Sequence, residues 1–292
     1  MPIATLITSA ALASEQLEAA QDYLNDVGLS STDIIWVDEG RVADIHFLGS
    51  VEQAQSALIP LADHLDYVVQ CVEDREKKLL ISDMDSTMIT VECIDELADY
   101  AGIKDQIAQV TEAAMRGEMD FEEALRGRVA LLKGLEMQHI ETCLRERVCM
   151  SKGAKTLVQT MAARGAHCVL VSGGFTQFAA SVSQQLGFHE FCANELAISN
   201  DILSGEITGD IVDAQRKRTI LEQLISDRGL KASETLAVGD GANDIPMIEA
   251  AGLGVAYKAK PAAEGAADMM VRQGDLSALL SAQGIACKDW VV

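Results

Sequence analysis

The sequence predicts an α/β protein: a Rossmann-like parallel-sheet core with a helical cap insertion, preceded by a small α+β module. Three observations predict it. After residue 78, apolar strand-like runs alternate with amphipathic helical stretches, the pattern of repeated βα units. From Cys93 to about Met150 the periodicity is almost all helical, which marks an insert after the first strand of that series. Residues 1–74 hold thirteen acidic residues against a single base, Arg41, and this imbalance sets the stretch apart.

In the first module, residues 3–8 read as a strand and 15–27 as a helix with Leu17, Ala20, Leu24 and Val27 on one face. Strands at 33–37 and 42–48, a helix near 51–64 and a strand near 67–72 complete a β-α-β-β-α-β order, that of a ferredoxin-like (ACT-like) unit. The order alone is shared by many unrelated units, so it assigns no activity. The charged run 73–78 ends the module. Domains are therefore expected at 1–76 and 77–292, with the cap inserted at about 93–150.

The second unit opens on Leu79-Leu80-Ile81. Four cap helices follow, in the segments ECIDELADYAG, KDQIAQVTEAAMRG, FEEALRGRVALLKG and EMQHIETCLRERV. Next come a helix at 153–164, a strand at 167–171, a helix at 176–186 and an extended pair near 196–212. A helix at 215–228, a strand at 235–238 and a helix at 244–250 complete the pattern.

A formal charge of −22 argues against nucleic acid and anionic membrane as partners, because both need clustered Lys and Arg. A small anionic substrate must then be drawn by local cations. No apolar run reaches the roughly 18 residues of a membrane span, and the start lacks the basic region of a signal peptide. The seven cysteines form no CxxC pair, which suits reduced thiols in a cytoplasm.

Three predicted strands end in polar or glycine-rich residues: Asp83 after LLIS, Ser172-Gly173-Gly174 after CVLV, and Gly239-Asp240-Gly241 after TLAV. Ligands of open α/β sheets bind at that edge, so the three segments should converge. Asp83 and Asp85, two residues apart, can divide their work. Asp83 would attack phosphorus to form an acyl phosphate, while Asp85 would give a proton to the leaving oxygen and later take one from water. Such carboxylates need a hard cation: Asp83, Asp240 and the Asp85 backbone carbonyl are the expected ligands for Mg2+, with Asp244 behind them. Ser172, the Gly173 amide and Asn243 would donate to phosphoryl oxygens and Lys217 would supply a fixed positive charge. Taken singly, each has a plainer use: the aspartates as turn or cap residues, the glycines in tight turns, Lys217 as part of the solvated run Arg216–Arg218.

DMDST at 83–87, SGG at 172–174, Lys217 ahead of a helix and GDGAND at 239–244 together resemble the four ordered motifs of the haloacid dehalogenase superfamily. Glu92, the segment Met115-Arg116-Gly117, Asp120-Phe121 and Arg128 narrow the resemblance to its phosphoserine phosphatase family. It covers roughly residues 79 to 275 and does not reach residues 1–78. The resemblance implies hydrolysis of O-phospho-L-serine to L-serine and phosphate through an aspartyl-phosphate, the last step of serine biosynthesis, with Mg2+. It matches Asp83 to the nucleophile, Asp85 to the acid/base, Ser172, Gly173 and Lys217 to phosphate binding, Asp240 to the metal and Asn243 to orientation of phosphate or water. It matches Glu92 to the substrate ammonium, Arg128 to its carboxylate, and Met115 and Phe121 to an apolar cover. A related phosphatase or phosphotransferase acting on phosphothreonine, phosphohomoserine or a sugar phosphate is one alternative, and an amino-acid sensor another. A homodimer and serine binding by the first module stand as further open assignments.

Overall fold

The computed structural model describes residues 1–115 and 118–292, apart from the Met115 side chain. In the first module, β1 (Pro2–Ile7), α1 (Ser14–Asp26), β2 (Ser30–Asp38), β3 (Val42–Leu48), α2 (Val51–Ala57) and β4 (Asp66–Cys71) follow one another. The four strands pair antiparallel in the order β2-β3-β1-β4. The second helix is shorter than its apolar pattern suggests. It gives way to a 3-10 turn at Ile59–Leu61, where Pro60 lacks the N–H that would continue the α-helical ladder.

The alternation of each strand explains how this sheet is buried. Ala4, Leu6, Ala43, Ile45, Tyr67 and Val69 pack with Leu17, Ala20 and Leu24 of α1 and Ala54 of α2. Ile7, Val42 and Val68 belong instead to the hydrophobic core of the second unit.

That unit runs β5 (Leu79–Ser82), α3 (Cys93–Tyr100), α4 (Lys104–Met115), α5 (Phe121–Leu131), α6 (Met137–Glu146) and α7 (Ala154–Ala163). It continues with β6 (His167–Phe175), α8 (Thr176–Leu186), β7 (Glu190–Ser199), β8 (Ile202–Thr208), α9 (Ala214–Arg228) and β9 (Thr235–Gly239). α10 (Ile245–Ala250), β10 (Leu253–Tyr257), α11 (Pro261–Glu264), β11 (Met269–Val271) and α12 (Ala278–Ala282) complete it. Strands β11, β10, β9, β5, β6 and β7 are parallel in that spatial order, and β8 adds an antiparallel edge.

The central parallel strands β5, β9 and β10 are buried throughout because both of their faces are covered. Leu80, Cys168, Leu170, Leu236 and Val238 face one core with residues of α7 and α8, whereas Leu79, Ile81, Val169, Val171 and Ala237 face Leu221 of α9 and Met247 of α10. Periodicity in the sequence does not pick out β10 or β11. LGVAY and MMV are too short to show a period among the small residues around them.

The two sheets are continuous. β4 pairs with β11 through Tyr67 and Met270, giving one eleven-stranded mixed sheet. The buried Asp66 carboxylate secures this junction, accepting from the backbone N–H groups of Arg272 (2.8 Å), Gln273 (3.0 Å) and Gly274 (2.7 Å). Arg75 adds a second tie: it forks onto Asp44 at 2.7 and 2.8 Å, and its Nε donates to the Ala282 carbonyl at 2.9 Å.

Helices α3–α6 form the cap and share Ile94, Leu97, Leu125, Val129, Ile140 and Cys143 with the larger core. The cap joins the sheet unit through a two-stranded stem, in which Ile89 bridges Met150, Thr90 N–H donates to Cys149 and Ser151 N–H donates to Met88. Among the described residues, no helix is long and apolar enough to cross a membrane.

Candidate active site

The strand ends do converge. β5 lies between β9 and β6, so the segments following all three leave the sheet side by side at its C-terminal edge. Asp83 N–H donates to the Val238 carbonyl at 3.0 Å, which fixes the first residue past β5. The chain then turns sharply. Thr87, Met88 and Ile89 all donate back to the Met84 carbonyl, and Ser86 takes a left-handed φ of 55°.

Helical geometry decides which base of the run 216–218 enters the site. Asp213 caps α9 by accepting from Arg216 N–H, and the 100° turn per residue then separates neighbouring side chains. The Lys217 side chain is 1% exposed and its Nζ donates to Asp83 Oδ1 at 2.6 Å and Asp244 Oδ1 at 2.7 Å. Arg218, 43% exposed, pairs with Glu222 on the outer face. Asp244 Oδ2 accepts from the amides of Asp240 (3.1 Å) and Gly241 (3.0 Å), so both of its oxygens have partners. Thr87 Oγ1 donates to Asp240 Oδ1 at 3.2 Å.

Asp85 is turned away from that cluster. Its Oδ1 accepts from Cys93 N–H at 2.8 Å and its Oδ2 from Ser172 Oγ at 3.2 Å. The hydroxyl of Ser172 in turn accepts from Gly174 N–H at 2.8 Å. β6 continues to Phe175 where the sequence pattern ends at residue 171, yet its pairing with β7 is irregular between Val171 and Phe175. Ser172, Gly173 and Gly174 occupy this interruption, which re-aims them toward the sheet edge. Position 174 must be glycine: a Cβ there would lie 2.6 Å from Asp85 Oδ2 and 3.0 Å from Ser172 Oγ.

Carboxylates of Asp83, Asp240 and Asp244 present oxygens within 4.8 Å of one another. Burial, reinforced by Asp244, pushes Asp83 well above the ordinary carboxylate range against the opposing pull of Lys217. Burial likewise raises Asp240 to about 6, helped by Asp244 and Glu92. Burial alone would lower the Lys217 pKa, but Asp83 and Asp244 outweigh it and leave the ammonium firmly charged. One ammonium among three converging carboxylates leaves an excess of negative charge. The hard oxygen donors and that excess both fit a divalent cation.

These groups open into a cleft of about 300 Å³ between cap and sheet. Asp83, Asp85, Ser172, Gly173, Asp240 and Asn243 line it from the sheet side, and Glu92, Phe121 and Arg128 line it from the cap side. Lys217 is not on the lining; it reaches Asp83 from beneath. Met115 ends α4, and its side chain, with Arg116 and Gly117, lies outside the described residues. Glu92 accepts from Ser86 Oγ at 2.6 Å. Burial lowers the Arg128 pKa, with Asp95 and then Glu92 acting against that shift.

Several contributors carry no role in the sequence reading. Thr87 is one, although it stands inside DMDST. Asn194 is another: fully buried, it donates to the Gly173 carbonyl at 2.8 Å and accepts from Val212 N–H at 2.8 Å, fixing the interruption within β6. No local pattern marks an asparagine on a strand for that task. Asp95, Thr111 and Lys260 also line the cleft.

The sequence model of the haloacid dehalogenase-like hydrolases matches residues 80–249. The chain is 43% identical over 219 residues to a phosphoserine phosphatase of Archaeoglobus fulgidus, an alignment covering 74% of this chain and 63% of that relative. It is 43% identical over 208 residues to a phosphoserine phosphatase of Polaromonas sp., covering 70% and 88%. The chain thus spans less than two thirds of the first relative and most of the second. In three dimensions it is similar to the unliganded structure of a probable phosphoserine phosphatase from Vibrio cholerae, with 35% identity, a TM-score of 0.78, and coverage of 99% of this chain and 87% of that one. Motif order, site geometry and these relatives agree: the chain belongs to the haloacid dehalogenase-like hydrolases and, within them, to the phosphoserine phosphatase family.

Proposed function

We propose that this protein hydrolyses O-phospho-L-serine to L-serine and phosphate, with Asp83 as nucleophile and Asp85 as acid and base. The observation that carries the reading is the shared cleft: Glu92 and Arg128, suited to an amino acid's ammonium and carboxylate, line the same space as Asp83 and Asp85.

In the first half-reaction, an Asp83 carboxylate oxygen bonds to phosphorus, the phosphorus–oxygen bond to serine breaks, and Asp85 gives its proton to the departing serine oxygen. In the second, Asp85 takes a proton from a water molecule whose oxygen bonds to phosphorus, releasing phosphate and restoring Asp83. Burial, with Glu92 nearby, raises Asp85 to about 6, so it can hold and return a proton near neutral pH. Ser172 Oγ, the Gly173 amide and Asn243 donate to phosphoryl oxygens, while Lys217 holds Asp83 in place and balances developing charge. Phe121 covers the substrate. Asp83, Asp240 and the Asp85 carbonyl would hold Mg2+, which when bound offsets negative charge between substrate and carboxylates.

Residues 1–76 form, in this reading, a ferredoxin-like (ACT-like) unit appended to a phosphatase unit at 77–292, supported by the β2-β3-β1-β4 antiparallel order. A cytoplasmic setting agrees with seven unpaired cysteines. Serine binding by the first module and a homodimer belong to the same proposal; serine titration and sedimentation measure them separately.

Phosphate release from phosphoserine, phosphothreonine, phosphohomoserine and a sugar phosphate tests the substrate. Phosphoserine should be fastest, activity should vanish with chelator and return with Mg2+, and a sugar phosphate turned over equally well would overturn the assignment. Asp83→Asn should lower kcat by at least about a thousandfold with an unchanged circular dichroism spectrum. Retained turnover would remove Asp83 as nucleophile.

A further inference from the structure

The charges lining the cleft do not balance for the substrate proposed above. Five acids face it, Asp83, Asp85, Glu92, Asp95 and Asp240, and among the described residues the lining bases are Arg128 and Lys260. Lys217 is covered, with its ammonium bound between Asp83 and Asp244. Arg128 sits on the cap, where the substrate carboxylate is assigned. The phosphate group carries a charge of about −1.5 to −2 near neutral pH and approaches a chain of net charge −22. Apart from a metal ion held by Asp83 and Asp240, Lys260 is therefore the side-chain cation among the described residues that it meets from solvent.

We propose that Lys260 is a phosphate-positioning residue: an exposed ammonium on the sheet-side rim that draws the phosphate dianion into the cleft and holds it beside Asp240 before reaction. This rests on the phosphatase reading. The Lys260 backbone is anchored on both sides, which fixes where its side chain starts. Its N–H donates to the Asp240 carbonyl at 2.9 Å, and its own carbonyl accepts from Ala263 at 3.0 Å and Glu264 at 3.2 Å. The ammonium lies close enough to act on the Asp240 carboxylate, which lines the cleft with it. Long-range attraction of this kind raises substrate capture more than it changes chemistry, and salt weakens it.

The same loop supplies its own control. Lys258, two residues earlier, has a left-handed φ of 45° and places Nζ 5.3 Å from the Tyr257 ring centre; it is not on the cleft lining. Lys258→Gln and Lys260→Gln remove the same net charge from the same loop, so they separate a local effect from a global one.

Steady-state kinetics with phosphoserine and Mg2+ at low and high salt test the proposal. For Lys260→Gln we expect KM to rise about tenfold at low salt with kcat within about twofold of wild type, and the difference to shrink at about 0.5 M salt. Lys260→Arg should recover most of the loss, and Lys258→Gln should match wild type. A Lys260→Gln enzyme that tracks Lys258→Gln at both salt levels, or that loses kcat at constant KM, overturns the proposal. Calorimetric titration with inorganic phosphate and Mg2+ provides a reading independent of substrate. Weaker phosphate binding in Lys260→Gln alone supports the role even if wild type fails to cleave phosphoserine, a result that would sink the functional assignment instead. Unchanged phosphate binding in a wild type active on phosphoserine sinks only the role of Lys260.

Discussion

Asp85 accepts hydrogen bonds from Cys93 N–H and Ser172 Oγ, both of which favour its charged form, yet burial and Glu92 prevail and raise it to about 6. A carboxyl held above its unfolded pKa binds its proton more tightly when folded. Its ionisation therefore opposes folding: the cost is absent below about pH 4 and complete above about pH 6, amounting to at most about 3 kcal/mol. Asp85→Asn should accordingly be more stable than wild type at pH 8 in chelator and equal to it near pH 4, as read by urea unfolding. A constant difference between the two pH values would contradict the raised pKa. This side chain also shows how far motifs reach. DMDST places Asp83 and Asp85 at a strand end, but the outward turn of Asp85 toward Ser172 depends on a bend at Ser86 and an interruption in β6 that no spacing rule specifies.

At the scale of elements, α7 begins where the cap stem re-enters the sheet unit. Gly153 precedes it with φ of 80°, and a Cβ there would lie 2.5 Å from both Asp275 Oδ1 and Ser277 N. Gly165, after the same helix, has φ of 90° and nothing within 4 Å of such a Cβ. Both substitutions carry the left-handed backbone cost of about 1 kcal/mol, and Gly153→Ala adds a clash against backbone, for a total of at least about 2 kcal/mol. Urea unfolding of Gly153→Ala and Gly165→Ala should show that order; equal losses would mean that backbone conformation alone matters. Most helices and strands were legible because each buries one stripe or both faces in a regular way. β10 and β11 were not, since runs of five and three residues carry too little periodicity.

Across the whole molecule, the first module is built into the sheet rather than hung from it. Asp44 and Arg75 are almost buried, with side chains 7% and 14% exposed, and Arg75 reaches across to α12. Asp44→Ala would leave a buried guanidinium without its carboxylate, a loss of about 3–5 kcal/mol. Because β4 pairs with β11, we expect the urea transition followed by far-ultraviolet circular dichroism and that followed by Trp36 fluorescence in β2 to shift together. Movement of the fluorescence transition alone would show the module unfolding by itself.

The amino-acid sequence determined the α/β class, the cap insertion, the βαββαβ order of the first module and the chemistry-bearing residues at three strand ends. These are local properties, set by periodicity and by which side chains can carry charge. Tertiary structure alone decided what lies between those residues: that Lys217 is covered beneath Asp83 while Arg218 faces solvent, that Glu92 and Arg128 share a cleft with Asp83, and that two sheets join through Tyr67 and Met270. Such contacts link residues far apart in sequence, and they form only when packing brings the separate elements together.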